Sequence, residues 1–72
     1  MVKVFKVEDL ECAHCAAKMQ EQIQKLEGVN SATVSFLAQK ITVDADDAYI
    51  GELGKKIYDI CRKIEPDCRV IY

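Results

Sequence analysis

An α+β fold, two helices on one face of a four-stranded antiparallel sheet, is predicted by three observations. Hydrophobic residues alternate with period two in four short stretches and recur every three or four residues in two longer ones. Along the chain these periods run strand, helix, strand, strand, helix, strand. The length of 72 residues allows a single domain, residues 1–72, with a modest core of two layers.

The first strand is predicted over residues 2–8, Val-Lys-Val-Phe-Lys-Val-Glu, which are rich in β-branched and aromatic types. Phe5 and Val7 share one face and Val2 and Val4 the other, and the pattern does not decide which face the helices cover. Asp9 to Cys12 form a loop. From Ala13 to Leu26, Ala16, Met19, Ile23 and Leu26 make one helical stripe, and Glu27-Gly28 stops the helix. Residues 31–37 read as a strand with Ala32, Val34 and Phe36 inward, and Lys40 to Asp44 as its hairpin partner with Ile41 and Val43 inward across a turn at Ala38-Gln39. The acidic run from Asp44 to Asp47 is predicted to link and cap the second helix, about Ala48 to Ile64. Its stripe is Ile50, Leu53, Ile57, Ile60, Cys61 and Ile64, and Pro66 ends it. Cys68 to Tyr72 is the last strand, with Cys68, Val70 and Tyr72 on one face. Strand–helix–strand–strand–helix–strand with this spacing is the split βαβ, ferredoxin-like arrangement.

Composition narrows function. Half the residues are hydrophobic and 31% are charged, so the chain can bury a core and is not of the disordered class. A net charge of −2 without a basic run gives no nucleic-acid footprint. No apolar run approaches the ~20 residues of a membrane span, and the start lacks the apolar stretch of a signal peptide. The expected location is the cytoplasm, either free or as the cytoplasmic domain of a membrane protein, with no membrane contact by this segment. In that compartment the four cysteines are expected to be reduced thiols.

The chemistry concentrates in Leu10-Glu11-Cys12-Ala13-His14-Cys15. Two cysteines separated by two residues, where a loop enters a helix, bring two sulfurs within reach of one ion. Unpaired N–H groups and the dipole at a helix start favour thiolate, and a thiolate pair selects soft ions over Mg(II) or Ca(II). A redox dithiol is the competing reading of the same motif. The chain, however, has no tryptophan and its one proline lies far from the pair, unlike a Trp-Cys-Gly-Pro loop.

The first strand, the CxxC loop opening a helix, Leu26-Glu27-Gly28-Val29 and the Ser-Ala-Thr-Val-Ser-Phe strand together resemble the heavy-metal-associated domain. That family comprises cytosolic metallochaperones and the N-terminal domains of heavy-metal P-type ATPases, and the resemblance covers essentially the whole chain. The usual family motif is Gly-Met-x-Cys-x-x-Cys; here Asp9 stands at the glycine position and Leu10 at the methionine position, where it is expected to pack beneath the loop. Glu11 precedes the first cysteine, as a carboxylate often does in members attached to zinc, cadmium and lead pumps, where it serves as a third ligand. Glu65-Pro66-Asp67 falls where copper-type members tend to carry lysine or tyrosine beside the metal loop.

The resemblance implies metal ligation by Cys12 and Cys15 with Glu11 as third ligand, and His14 or Cys68 as lesser candidates to complete the coordination. Cys61 and Met19 are expected in the core, Tyr49 and Tyr58 as packing residues. The expected cargo is one soft ion, Zn(II) or Cd(II) ahead of Cu(I), because two thiolates neutralise a divalent ion and leave room for a carboxylate. The expected partner is a metal donor or acceptor protein, or the rest of a membrane ATPase, met by a monomer that carries no catalytic residues of its own. A stand-alone Cu(I) chaperone of the same fold is the alternative; a small dithiol oxidoreductase and an inert interaction module stand further back.

Overall fold

In a computed structural model describing Met1 to Tyr72, the elements are β1 (Val2–Glu8), α1 (Ala13–Gln24), β2 (Val29–Ser35), β3 (Lys40–Ala45), α2 (Asp47–Ile64) and β4 (Arg69–Ile71). The sheet order is β2-β3-β1-β4 and every neighbouring pair is antiparallel. The predicted α+β, ferredoxin-like arrangement is the one observed.

Register explains the core. Val34 lies opposite Ile41 and Ile41 opposite Phe5, so one row of inward side chains crosses three strands; Ala32–Val43 and Val7–Val70 add to it. Ala16, Met19 and Ile23 of α1 and Leu53, Ile57 and Cys61 of α2 close over that face. All 16 residues of this cluster are apolar, as the two periodicities require. Val2 and Val4, 63% and 54% exposed, lie on the open side of the sheet, which settles the face that the sequence leaves undecided.

Several boundaries differ from those expected. Helix α1 ends at Gln24, not Leu26, because Lys25, Leu26 and Val29 each donate a backbone hydrogen bond three residues back, tightening the last turns ahead of Gly28 at φ 86°. Strand β2 therefore starts at Val29 and accommodates an irregularity between Val29 and Ser31. It stops at Ser35, whose hydroxyl accepts from the Ala38 N–H at 3.1 Å, so Phe36 lies in the turn and is only half-buried instead of inward on the strand. Strand β3 runs on to the fully buried Ala45, which shortens the acidic linker to Asp46. Asp46 occupies the N-cap position of α2 without a side-chain cap bond, so Asp47 in the first turn supplies the favourable charge at that helix end. Cys68 precedes β4, and Tyr72 lies beyond it, 67% exposed and edge-on to Tyr58 at 5.7 Å. No helix is long and apolar enough to cross a membrane.

Cys61 sits in the core as expected, and burial, then the adjacent Cys68, pushes its thiol from 9.0 up to about 12. In the unfolded chain the same thiol ionises near 9.0, so the native state binds the extra proton and stability must fall as pH rises between about 9 and 12. Urea unfolding across that window should show wild type losing about 1.4 kcal/mol per pH unit more than Cys61→Ala. Parallel slopes for the two proteins would remove Cys61 as the cause.

Candidate metal centre

Asp9 follows β1 in the left-handed region at φ 61°, and the chain turns there toward α1. A short polar side chain tolerates this conformation better than most, which is how aspartate can stand where a glycine is usual. Leu10 then drops into the core at 1% exposure, as expected from its place in the motif, and Cys12 opens the helix. Cys12 is the N-cap, with extended φ and ψ of −121° and 113°. Its sulfur accepts from the Cys15 backbone N–H at 3.2 Å and its carbonyl from the Ala16 N–H at 3.0 Å. A cysteine thus fills the position that serine or aspartate normally takes.

The two thiols are unequal. A hydrogen bond from the Cys15 side chain, then the Cys15 backbone N–H, holds the Cys12 thiol below its ordinary value. The same contact, followed by burial and the nearby charges of Cys12 and Glu65, pushes Cys15 up to about 11. Cys12 is the preferred thiolate and Cys15 carries the proton. That proton is shared outward: the Cys15 thiol donates to Glu65 Oε2 at 3.6 Å, across 50 residues of sequence.

Glu65 reaches the loop because α2 ends there. As C-cap it adopts extended φ and ψ of −135° and 90°, donates its N–H to the Cys61 carbonyl at 2.8 Å, and accepts from the Cys68 N–H at 3.1 Å. The acidic Glu65-Pro66-Asp67 loop therefore lies beside the metal loop, but the sequence reading did not single out Glu65 as a donor. Its sequence signals are an acidic residue beside the proline that stops α2 and its place where copper-type members of the resembled family tend to carry lysine or tyrosine.

Cys12 and Cys15 are half-buried, whereas Glu11 and His14 are exposed. Cys68 is buried, and its thiol donates to the Cys61 carbonyl at 3.8 Å. Nowhere does the fold preassemble three or more His, Cys, Asp or Glu side chains into a metal-holding group. A half-exposed soft donor pair with a carboxylate at its edge fits an ion that is accepted and passed on, since an incoming thiolate can reach it. On the same grounds, iodoacetamide should label Cys12 first and Cys15 second in the native protein, because thiolate is the nucleophile. Cys61 and Cys68 should react only after unfolding, and peptide mass mapping reads the order directly.

Residues 4–65 match the family model of the heavy-metal-associated domain. A "Probable cadmium-transporting ATPase" of Listeria monocytogenes is 44% identical over 43 residues, which are 60% of this chain and 6% of that protein. A "Zinc/cadmium/lead-transporting P-type ATPase" of Escherichia coli (strain K12) is 42% identical over 43 residues, with the same coverage of 60% and 6%. The chain thus spans about 6% of the length of these relatives. Among solved structures, a "CopZ metallochaperone" superposes with a TM-score of 0.77 at 21% identity, covering 99% of this chain and 100% of that one. At that identity the likeness speaks for the fold.

Proposed function

This chain belongs to the heavy-metal-associated domain family, and from that premise we propose that it binds one Zn(II) or Cd(II) ion through Cys12 and Cys15 and passes it to a partner protein. The domain is a metal-binding module, not a catalytic one. In this reading it is the cytoplasmic N-terminal domain of a heavy-metal-translocating P-type ATPase. Its partners are a metal donor and the remainder of the pump, and ATP hydrolysis belongs to segments outside these residues. The 44% and 42% identity to cadmium- and zinc-transporting ATPases supports that placement.

The observation that carries the divalent preference is the Cys15–Glu65 contact at 3.6 Å. Two thiolates around Cu(I) already leave a net charge of −1, and a carboxylate at contact distance raises the repulsion. Around Zn(II) or Cd(II) the same pair is neutral, and the carboxylate is drawn in as a third donor. Glu65 reaches the Cys15 sulfur and Glu11 adjoins Cys12 in sequence, and both offer the oxygen chemistry that Zn(II) accepts. Transfer then proceeds ligand by ligand, the weakly held carboxylate leaving first as a partner thiolate enters.

Competitive titration of the reduced protein with Zn(II), Cd(II) and Cu(I) tests the reading. One divalent ion per chain is expected, with binding weakened tenfold or more, about 1.4 kcal/mol, by Glu65→Gln or Glu11→Ala, and Cu(I) affinity lowered by neither. Tight Cu(I) binding, poor divalent binding and silent carboxylate variants would establish the copper chaperone instead.

A further inference from the structure

We propose that Gln39, in the turn between β2 and β3, is a positioning residue for the metal loop. Its side chain grips the main chain of Leu10 on both sides: Oε1 accepts from the Leu10 N–H at 3.0 Å and Nε2 donates to the Leu10 carbonyl at 2.6 Å. The second Nε2 hydrogen goes to the Phe36 carbonyl at 2.7 Å. One N–H and two carbonyls leave a single orientation for the amide, and both of its hydrogens are used. The Gln39 carbonyl also accepts from the Val7 N–H at 3.0 Å, so the turn is stitched to the end of β1 as well.

These bonds link residues 29 apart in sequence, and the grip falls two residues before Cys12 and one before Glu11. Asp9, just ahead, is in the left-handed region, which aspartate tolerates better than most residues but at some cost, so a fixed neighbour helps to hold the turn. With Leu10 fixed at its N–H, its carbonyl and its buried side chain, the approach to the N-cap is defined before any ion arrives. The cost of ordering the loop is then already met, and the donors stay in place for capture. Gln39 is itself left-handed at φ 54°, a strained state accepted where the side chain is needed.

That strain allows a clean test. Gln39→Asn favours the turn, since asparagine adopts positive φ readily, but it is one methylene too short to grip Leu10; Gln39→Ala loses the grip with no gain in the turn. Both variants should speed hydrogen exchange at the Leu10 amide tenfold or more and raise the Cd(II) dissociation constant three- to tenfold. Apo thermal stability should fall for both variants, and by less for Gln39→Asn, which regains part of the turn. An equal loss of affinity in two variants of unequal stability is what a merely structural turn residue would not produce. The inference rests on Cys12 and Cys15 as the metal ligands, and the two failures separate. Wild type that binds no Cd(II) overturns the metal reading and this one with it. Tight wild-type binding left unchanged by either variant, or tracking apo stability across both, overturns the role of Gln39 alone.

Discussion

Cys12→Ser should leave a folded domain that has lost about two to three orders of magnitude of affinity for Cd(II). Structural four-ligand zinc sites bind with about 10–16 kcal/mol, so one ligand accounts for about 2.5–4 kcal/mol, or roughly 10²- to 10³-fold. Cys12 is the sulfur that the neighbouring Cys15 side chain and N–H hold toward thiolate, whereas a serine hydroxyl stays protonated. Serine is at the same time a preferred N-cap, so its hydroxyl can take over the bond from the Cys15 N–H and α1 keeps its start. Cys12→Ala removes ligand and cap together and should cost about 1 kcal/mol of stability as well. Far-UV circular dichroism and urea unfolding of the apo proteins, set beside a chelator-competition titration, separate the two effects. Undiminished Cd(II) affinity in a folded Cys12→Ser protein would take Cys12 out of the site. His14→Ala, whose side chain is exposed, should be silent in the same assay.

The parts of this molecule that could be read from the sequence are those set by local periodicity. Met19 and Ile23 on α1, Ile57 and Cys61 on α2, and Ile41 and Val43 on β3 occupy the core positions their spacing implies. Cys12 and Cys15 are brought together at the head of α1 because a two-residue gap at a helix start leaves little alternative. What escaped depends on contacts between distant segments. Phe36 had the right alternation for a strand, yet the Ser35 hydroxyl and the left-handed Gln39 frame a turn that begins two residues earlier than expected. Glu65 meets Cys15 across 50 residues, and Gln39 meets Leu10 across 29. Neither separation has a signature in a window of a dozen residues. The resemblance to a metal-binding family placed the Glu65-Pro66-Asp67 loop beside the metal loop but named Glu11, the carboxylate adjacent in sequence, as the third ligand, whereas the fold sets Glu65 against the Cys15 sulfur.

The glycines make the closing prediction, because the same change should have different signs at three places. Gly28→Ala should cost about 2–4 kcal/mol. It sits at φ 86° just after α1, where an alanine is strained by roughly 1 kcal/mol. An added Cβ would run into the Cγ and Cδ2 of Tyr49 and lie 2.9 Å from its Cβ. Those atoms are the root of the side chain, so the ring cannot swing clear without moving the first turn of α2, an overpacking cost of about 1–3 kcal/mol. For a domain of 72 residues, stable by about 4–11 kcal/mol at the usual value per residue, that is a large share. Gly51→Ala meets nothing within 4 Å and lies inside α2, so it should stabilise by roughly 0.5–1 kcal/mol. Gly54→Ala falls between them: its Cβ would meet Tyr72 at 2.8–3.0 Å, but Tyr72 is 67% exposed and lies beyond β4, so helix propensity and displaced ring should nearly cancel. Urea unfolding of the three variants orders them Gly51→Ala, Gly54→Ala, Gly28→Ala from most to least stable. If Gly28→Ala unfolds like wild type, then Tyr49 is not packed over the end of α1. If only the apo form of Gly28→Ala is weakened and Cd(II) affinity per folded molecule is retained, the junction of α1 and β2 bears on stability alone, apart from the metal loop at the other end of α1.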